Sequence, residues 1–167
     1  GLKKDILILS GGVSMGEYDL VGEVLLDLGV KIFFEKVALR PGKPTVFGMK
    51  GDKLIFALPG NPVSTFVTFE LFVKPCIKKM MGFTSYDHPI IHAELEKMIK
   101  IKKKRREYRP ALLRQEGSGW KVSLIDWHGS GDLFSLTKAN GLLIISESVE
   151  KLNKGDMVEV MLTDGLL

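Results

Sequence analysis

Three short loops rich in glycine and proline constrain this chain more than anything else in it. They are Ser10-Gly11-Gly12-Val13-Ser14-Met15-Gly16, Arg40-Pro41-Gly42-Lys43-Pro44 and Leu58-Pro59-Gly60-Asn61-Pro62-Val63-Ser64. The first and third each follow a short apolar strand and precede an amphipathic helix. An α/β protein uses that arrangement to turn backbone N–H groups, and the positive end of a helix dipole, toward an anion. The middle loop adds two cations, Arg40 and Lys43, on a backbone stiffened by Pro41 and Pro44. Together the loops predict a phosphorylated or oxyanionic ligand.

The segments between the loops fit that reading. Ile6-Leu7-Ile8-Leu9 is a continuous apolar run, the pattern of a parallel strand buried on both faces. A helix fits about Tyr18 to Leu28, with Leu20, Val24, Leu25 and Leu28 sharing one face and Gly29 ending it. Val30–Val37, Thr45–Gly48 and Leu54–Leu58 read as strands, the last two flanking a hairpin-type turn at Lys50-Gly51-Asp52. Asn61 is a good N-cap and Pro62 suits the first helical position. Phe66, Phe69, Val73, Ile77 and Met80 then keep helical spacing as far as Gly82, through an expected kink at Pro75.

After Gly82 the helical period is lost. Ile90–Leu95, Tyr108–Leu113, Trp120–Ile125, Gly141–Ser146 and Met157–Leu162 read as strands, and nothing reads as a helix. The expected organisation is an α/β domain over residues 1–82 and a small all-β barrel or sandwich over 83–167.

Composition narrows the function classes. A formal charge of +4 suits an anionic ligand without calling for nucleic acid. The densest basic run, Lys100 to Arg109, carries one aromatic residue, Tyr108, which is poor support for stacking on bases. The single Cys76 excludes an internal disulfide framework, so a reducing cytoplasm is expected. No apolar run reaches membrane-spanning length, and no membrane partner is expected. His88, His92 and His128 lack metal-ligand spacing. Asp19 either caps the helix after the first loop or holds Mg²⁺ together with ligand phosphates. Ser64, in the first turn of its helix, either meets an anion or belongs to a stiff strand–helix connection.

Taken together, the three loops closely resemble the molybdopterin molybdenumtransferase family, the MoeA type that also forms the E domain of gephyrin. Arg105-Arg106-Glu107-Tyr108 resembles that family's Arg-x-acidic-aromatic segment, and Gly129-Ser130-Gly131 and Ala139-Asn140-Gly141 its Gly-Ser and small-Asn elements. The resemblance implies a partial MogA-like molybdopterin-binding domain followed by a small barrel. The reaction it implies is insertion of molybdate into the dithiolene of adenylylated molybdopterin with release of AMP, in molybdenum cofactor biosynthesis. It implies Mg²⁺ held at Asp19, with Asp19, Lys43 and Arg105 catalytic. The implied ligand-binding set is Gly11, Gly12, Ser14, Gly16, Arg40, Pro41, Gly42, Lys43, Pro44, Pro59, Gly60, Asn61, Pro62, Ser64, Arg105 and Ser130. Arg40 stands where many members have Lys, which keeps the charge and changes its geometry.

The family pattern also implies a longer parent protein, of which this would be the C-terminal part, working as a homodimer in contact with the molybdopterin adenylyltransferase. Two other readings stay open. One is a MogA-type protein that binds or adenylylates molybdopterin; the other is a non-enzymatic scaffold module.

Overall fold

The computed structural model describes residues 1–13, 20–101, 105–125 and 133–163. In chain order the first elements are β1 (Ile6–Ser10), α1 (Val21–Asp27), β2 (Lys31–Lys36), β3 (Leu39–Arg40), β4 (Pro44–Lys50) and β5 (Lys53–Leu58). Then come α2 (Pro62–Thr68), a π-helical turn (Phe69–Val73) and α3 (Lys74–Met80). The rest comprises β6 (Ile90–Leu95), β7 (Ile99–Lys100), β8 (Arg106–Glu116), β9 (Gly119–Leu124), α4 (Leu133–Leu136), β10 (Gly141–Ile145), β11 (Lys151–Leu152) and β12 (Met157–Leu162). Two compact units divide the chain: Gly1–Ala38 with Gly42–Lys74, and Leu39–Pro41 with Pro75–Leu167.

The first unit is a four-stranded sheet in the order β1-β5-β4-β2. β1 runs parallel to β5, while β4 is antiparallel to both β5 and β2. Successive side chains on a strand alternate between faces. Val46, Ile55 and Ala57 therefore lie on one side, where they form a buried cluster with Leu25 and Val30. Phe47 and Phe56 lie on the other, with ring centroids 4.9 Å apart, and Phe34 reaches Phe72 of the π turn at 6.1 Å.

Three details depart from the sequence expectations. β1 has only β5 as a neighbour in the described sheet, and Ile8 is 40% exposed rather than buried on both faces. The apolar face expected on α1 divides: Leu25 is buried and Val21 packs with the same cluster, whereas Leu20, Val24 and Leu28 are exposed. Around the helix Leu20, Val24 and Leu28 form one row and Val21 and Leu25 a second about 100° further on, and only the second row packs into the cluster.

The long helix after Asn61 is also interrupted, just upstream of Pro75. Proline has no N–H to give the Leu71 carbonyl, and its ring crowds that oxygen. The chain widens into the π turn there, with Lys74 N–H bonded to the Phe69 carbonyl five residues back.

The second unit is a barrel. Its sheet order is β10-β12-β6-β9-β8-β3, and β10 also pairs with β8, which closes five strands on themselves and leaves β3 attached outside. Closure removes the open edges that a flat sheet would carry. Ala93, Leu95, Ala111, Leu113, Val122, Leu143, Ile145, Val158 and Val160 fill the interior. Most pairs are antiparallel, but β6–β9 and β3–β8 are parallel. The expectation of no helix after Gly82 fails at α4, one turn of four residues and too short to show a period.

Candidate functional site

In the first unit the loops are tied to each other by backbone. Gly11 N–H donates to the Leu58 carbonyl at 3.0 Å, and Ser10 Oγ donates to the Pro59 carbonyl at 3.3 Å. A Cβ on Gly60 would stand 3.3 Å from Gly11 Cα, so the first and third loops touch where neither carries a side chain. Gly42 approaches α2 closely. Its φ is +104°, and a Cβ there would overlap Thr68 Cγ2. The Gly42 carbonyl accepts from Thr45 Oγ1 at 2.7 Å, and the Lys43 carbonyl accepts from the N–H groups of Val37 and Thr45 at 2.9 and 3.1 Å. Lys43 itself is exposed on this anchored loop.

The third loop carries the cap that its sequence predicts. Asn61 Oδ1 accepts from the N–H groups of Val63 and Ser64 at 3.1 and 3.2 Å, and from the Ser64 hydroxyl at 3.4 Å. Thr65 Oγ1 donates back to the carbonyls of Pro59 and Asn61. The Ser64 amide and hydroxyl are therefore both engaged by the cap. The stiff strand–helix connection is realised in these bonds.

The second unit holds a cluster of guanidinium groups. β3 pairs parallel with β8, with Leu39 opposite Arg106 and Arg40 opposite Glu107. The Glu107 side chain is 1% exposed. Its Oε1 accepts from Arg40 Nη1 at 2.9 Å, and its Oε2 accepts from Arg109 Nε at 2.7 Å and Nη2 at 2.6 Å. Arg105 Nη1 reaches the Leu39 carbonyl at 3.5 Å. Arg40 and Arg109 against this one glutamate leave a formal surplus of one positive charge on the carboxylate, with Arg105 close by on the Leu39 carbonyl. A buried carboxylate is tolerated only with such partners.

Known proteins resemble the chain along most of its length. Residues 1–79 match the family model described as "Probable molybdopterin binding domain", and residues 92–163 match that of the MoeA C-terminal region, domain IV. The MoeA protein of Pyrococcus horikoshii superposes with a TM-score of 0.77 at 32% identity, over 97% of this chain and 38% of that one. Both units of the chain are similar to the MoeA and gephyrin family. Gephyrin of Dictyostelium discoideum is 36% identical over 96% of this chain and 26% of its own length. Molybdopterin molybdenumtransferase of Staphylococcus epidermidis is 33% identical over 96% of this chain and 38% of its own length. The chain thus spans between about a quarter and two fifths of these relatives.

Against that family background, Gly11, Gly42, Gly60, Asn61 and Ser64 lie at the joined loops of the first unit, whereas Arg40 and Arg105 meet at the β3–β8 pair of the second. Ser14, Gly16, Asp19 and Ser130 lie outside the described residues. Among the described residues no group of three or more His, Cys, Asp or Glu is placed to hold a metal ion. Nor is any described helix long and apolar enough to cross a membrane.

Sequence reading named Glu107 only as one letter of a motif and Arg109 only as part of a basic run. The signal it passed over was a lone acid among the seven lysines and arginines of Lys100 to Arg109.

Proposed function

We propose that the full protein inserts molybdate into the dithiolene of adenylylated molybdopterin and releases AMP, a step of molybdenum cofactor biosynthesis. The observation that carries this reading is the surplus of guanidinium charge around Glu107, in a chain whose relatives include molybdopterin molybdenumtransferases. Molybdate is a tetrahedral dianion. Planar guanidinium groups offer it paired N–H donors, and charge-assisted bonds of that kind are about twice as strong as neutral ones. In this reading Arg40, Arg105 and Lys43 neutralise molybdate and the pterin phosphate. The side-chain-free contact at Gly11 and Gly60 lets backbone come close to the ligand. Asp19 supports cleavage of the adenylyl bond.

The barrel favours this reaction over adenylylation, because an adenylylating protein of the MogA type is expected to lack it, whereas residues 92–163 here match the MoeA C-terminal region. We further infer a cytoplasmic homodimer that receives its substrate from the adenylyltransferase. The lone cysteine supports the reducing compartment.

The deciding assay supplies the full-length protein with adenylylated molybdopterin, molybdate and Mg²⁺. Molybdate-dependent AMP release is the expected result; intact substrate after prolonged incubation overturns the reading. ATP-dependent adenylylation of molybdopterin by the same protein would instead establish the MogA-type alternative.

A further inference from the structure

Glu107 is more deeply buried than any other charged residue described, yet it holds more positive charge than it needs. Arg109, two residues away on the same strand, already places both Nε and Nη2 on Oε2. A carboxylate buried for structural reasons alone would be satisfied by that fork and nearby donors. Its second oxygen instead takes Arg40 Nη1, 67 positions distant in sequence, from a strand of two residues lying outside the barrel. The Arg40 side chain remains 41% exposed. It is therefore gripped at one end and open at the other.

We propose that Glu107 is a positioning residue for oxyanion binding. Its buried carboxylate fixes the plane of the Arg40 guanidinium, backed by Arg109, so that the outward N–H groups of Arg40 are set to receive a tetrahedral dianion. A free arginine loses much rotamer freedom when it binds an anion; one already held loses less. This inference deepens the molybdate reading above and rests on it for the identity of the anion.

The sign of one substitution separates positioning from simple electrostatics. Glu107→Gln removes a negative charge beside the site, which on charge alone strengthens anion binding. If Glu107 acts by holding Arg40, the same change weakens it. The test titrates molybdate into the 167-residue chain by calorimetry at low salt, for wild type, Arg40→Ala, Glu107→Gln and the double variant. Arg40→Ala is expected to weaken binding by ~10-fold or more, the scale of a lost charge-assisted bond. Glu107→Gln is expected to weaken it by several-fold, and the double variant no further than Arg40→Ala, since Glu107 acts through Arg40.

Unchanged or tighter binding by Glu107→Gln, with Arg40→Ala still weakened, overturns the positioning role and leaves the anion at Arg40. A wild-type chain that binds no molybdate overturns both, while AMP release by the full-length protein decides the reaction separately. Should Glu107→Gln not fold, ¹⁵N NMR of the wild-type Arg40 side chain decides. Slow rotation of its guanidinium is expected, and free rotation overturns the proposal.

Discussion

Asn140 meets Leu113 as a neighbouring strand would. Its Oδ1 accepts the Leu113 N–H at 2.7 Å, and its Nδ2 donates to the Leu113 carbonyl at 2.9 Å. Its own backbone accepts from Thr163 N–H and donates to the Ala111 carbonyl. One side chain thus completes the ladder of β8 where β10 begins, and it serves Leu113, whose side chain lies in the barrel core.

Replacing this amide is expected to be costly. Asn140→Leu strands a buried donor and acceptor and should destabilise the protein by about 2–4 kcal/mol in urea unfolding. Asn140→Asp keeps the acceptor but sets a carboxylate against the Leu113 carbonyl, so its deficit at neutral pH should shrink as the pH falls and the acid gains a proton to donate. A deficit that does not depend on pH would show that the Leu113 carbonyl makes no use of this donor.

Gly42 and Thr68 form a second close pair. Gly42→Ala should destabilise by roughly 2–4 kcal/mol, combining a positive-φ backbone that alanine tolerates poorly with overlap against Thr68 Cγ2. Thr68→Ser deletes that methyl and keeps the hydroxyl that bonds Ser64 O. The double variant should recover the overlap and retain the backbone strain, so a thermal-melt cycle should show favourable coupling. Strict additivity would rule out the contact as the cause.

Much of the architecture is legible because it is local. Asn61-Pro62 specifies its cap through bonds two and three residues on, and Gly51 closes its hairpin within four. The barrel strands follow from alternation. What escapes the sequence depends on partners far along the chain. β3 is two residues long and exists because β8 runs beside it. Glu107 is paired by residues 2 and 67 positions away, and no window spans both. On α1 the apolar residues are visible, but only the packed sheet decides that Leu25 is buried and Val24 is not. Pro75 announces a disturbance without saying which turn absorbs it.

Cys76 offers a probe of α3. Burial pushes its thiol above the ordinary cysteine range, and the nearby Lys79 ammonium partly offsets this. Alkylation by iodoacetamide should therefore reach half its limiting rate at a higher pH than for a cysteine in a short peptide, because the thiolate is the nucleophile. Lys79→Ala removes the offset and should move the profile further up. A profile that Lys79→Ala leaves unmoved would mean that the ammonium is not near the sulfur.

Lys43 and Arg105 carry the remaining charge of the proposed reaction, and the two are held differently. Lys43 stands on a loop whose carbonyl is gripped by two N–H groups, with Gly42 seated against Thr68, so its ammonium is exposed but its base is fixed. Arg105 is half-buried beside β3, near the Leu39 carbonyl. In the full-length protein, Lys43→Ala and Arg105→Ala should each weaken molybdate use by ~10-fold or more, matching the loss of one charge-assisted hydrogen bond of ~1.5–3 kcal/mol. Both variants should respond less to added salt than wild type, since each has one fewer cation for the ions to screen. Arg105→Lys should recover only part of the loss, because a point charge replaces a planar fork. AMP release measured across a molybdate titration tests all three. A half-saturation point that Lys43→Ala leaves unmoved would place the anion away from the Arg40–Pro44 loop.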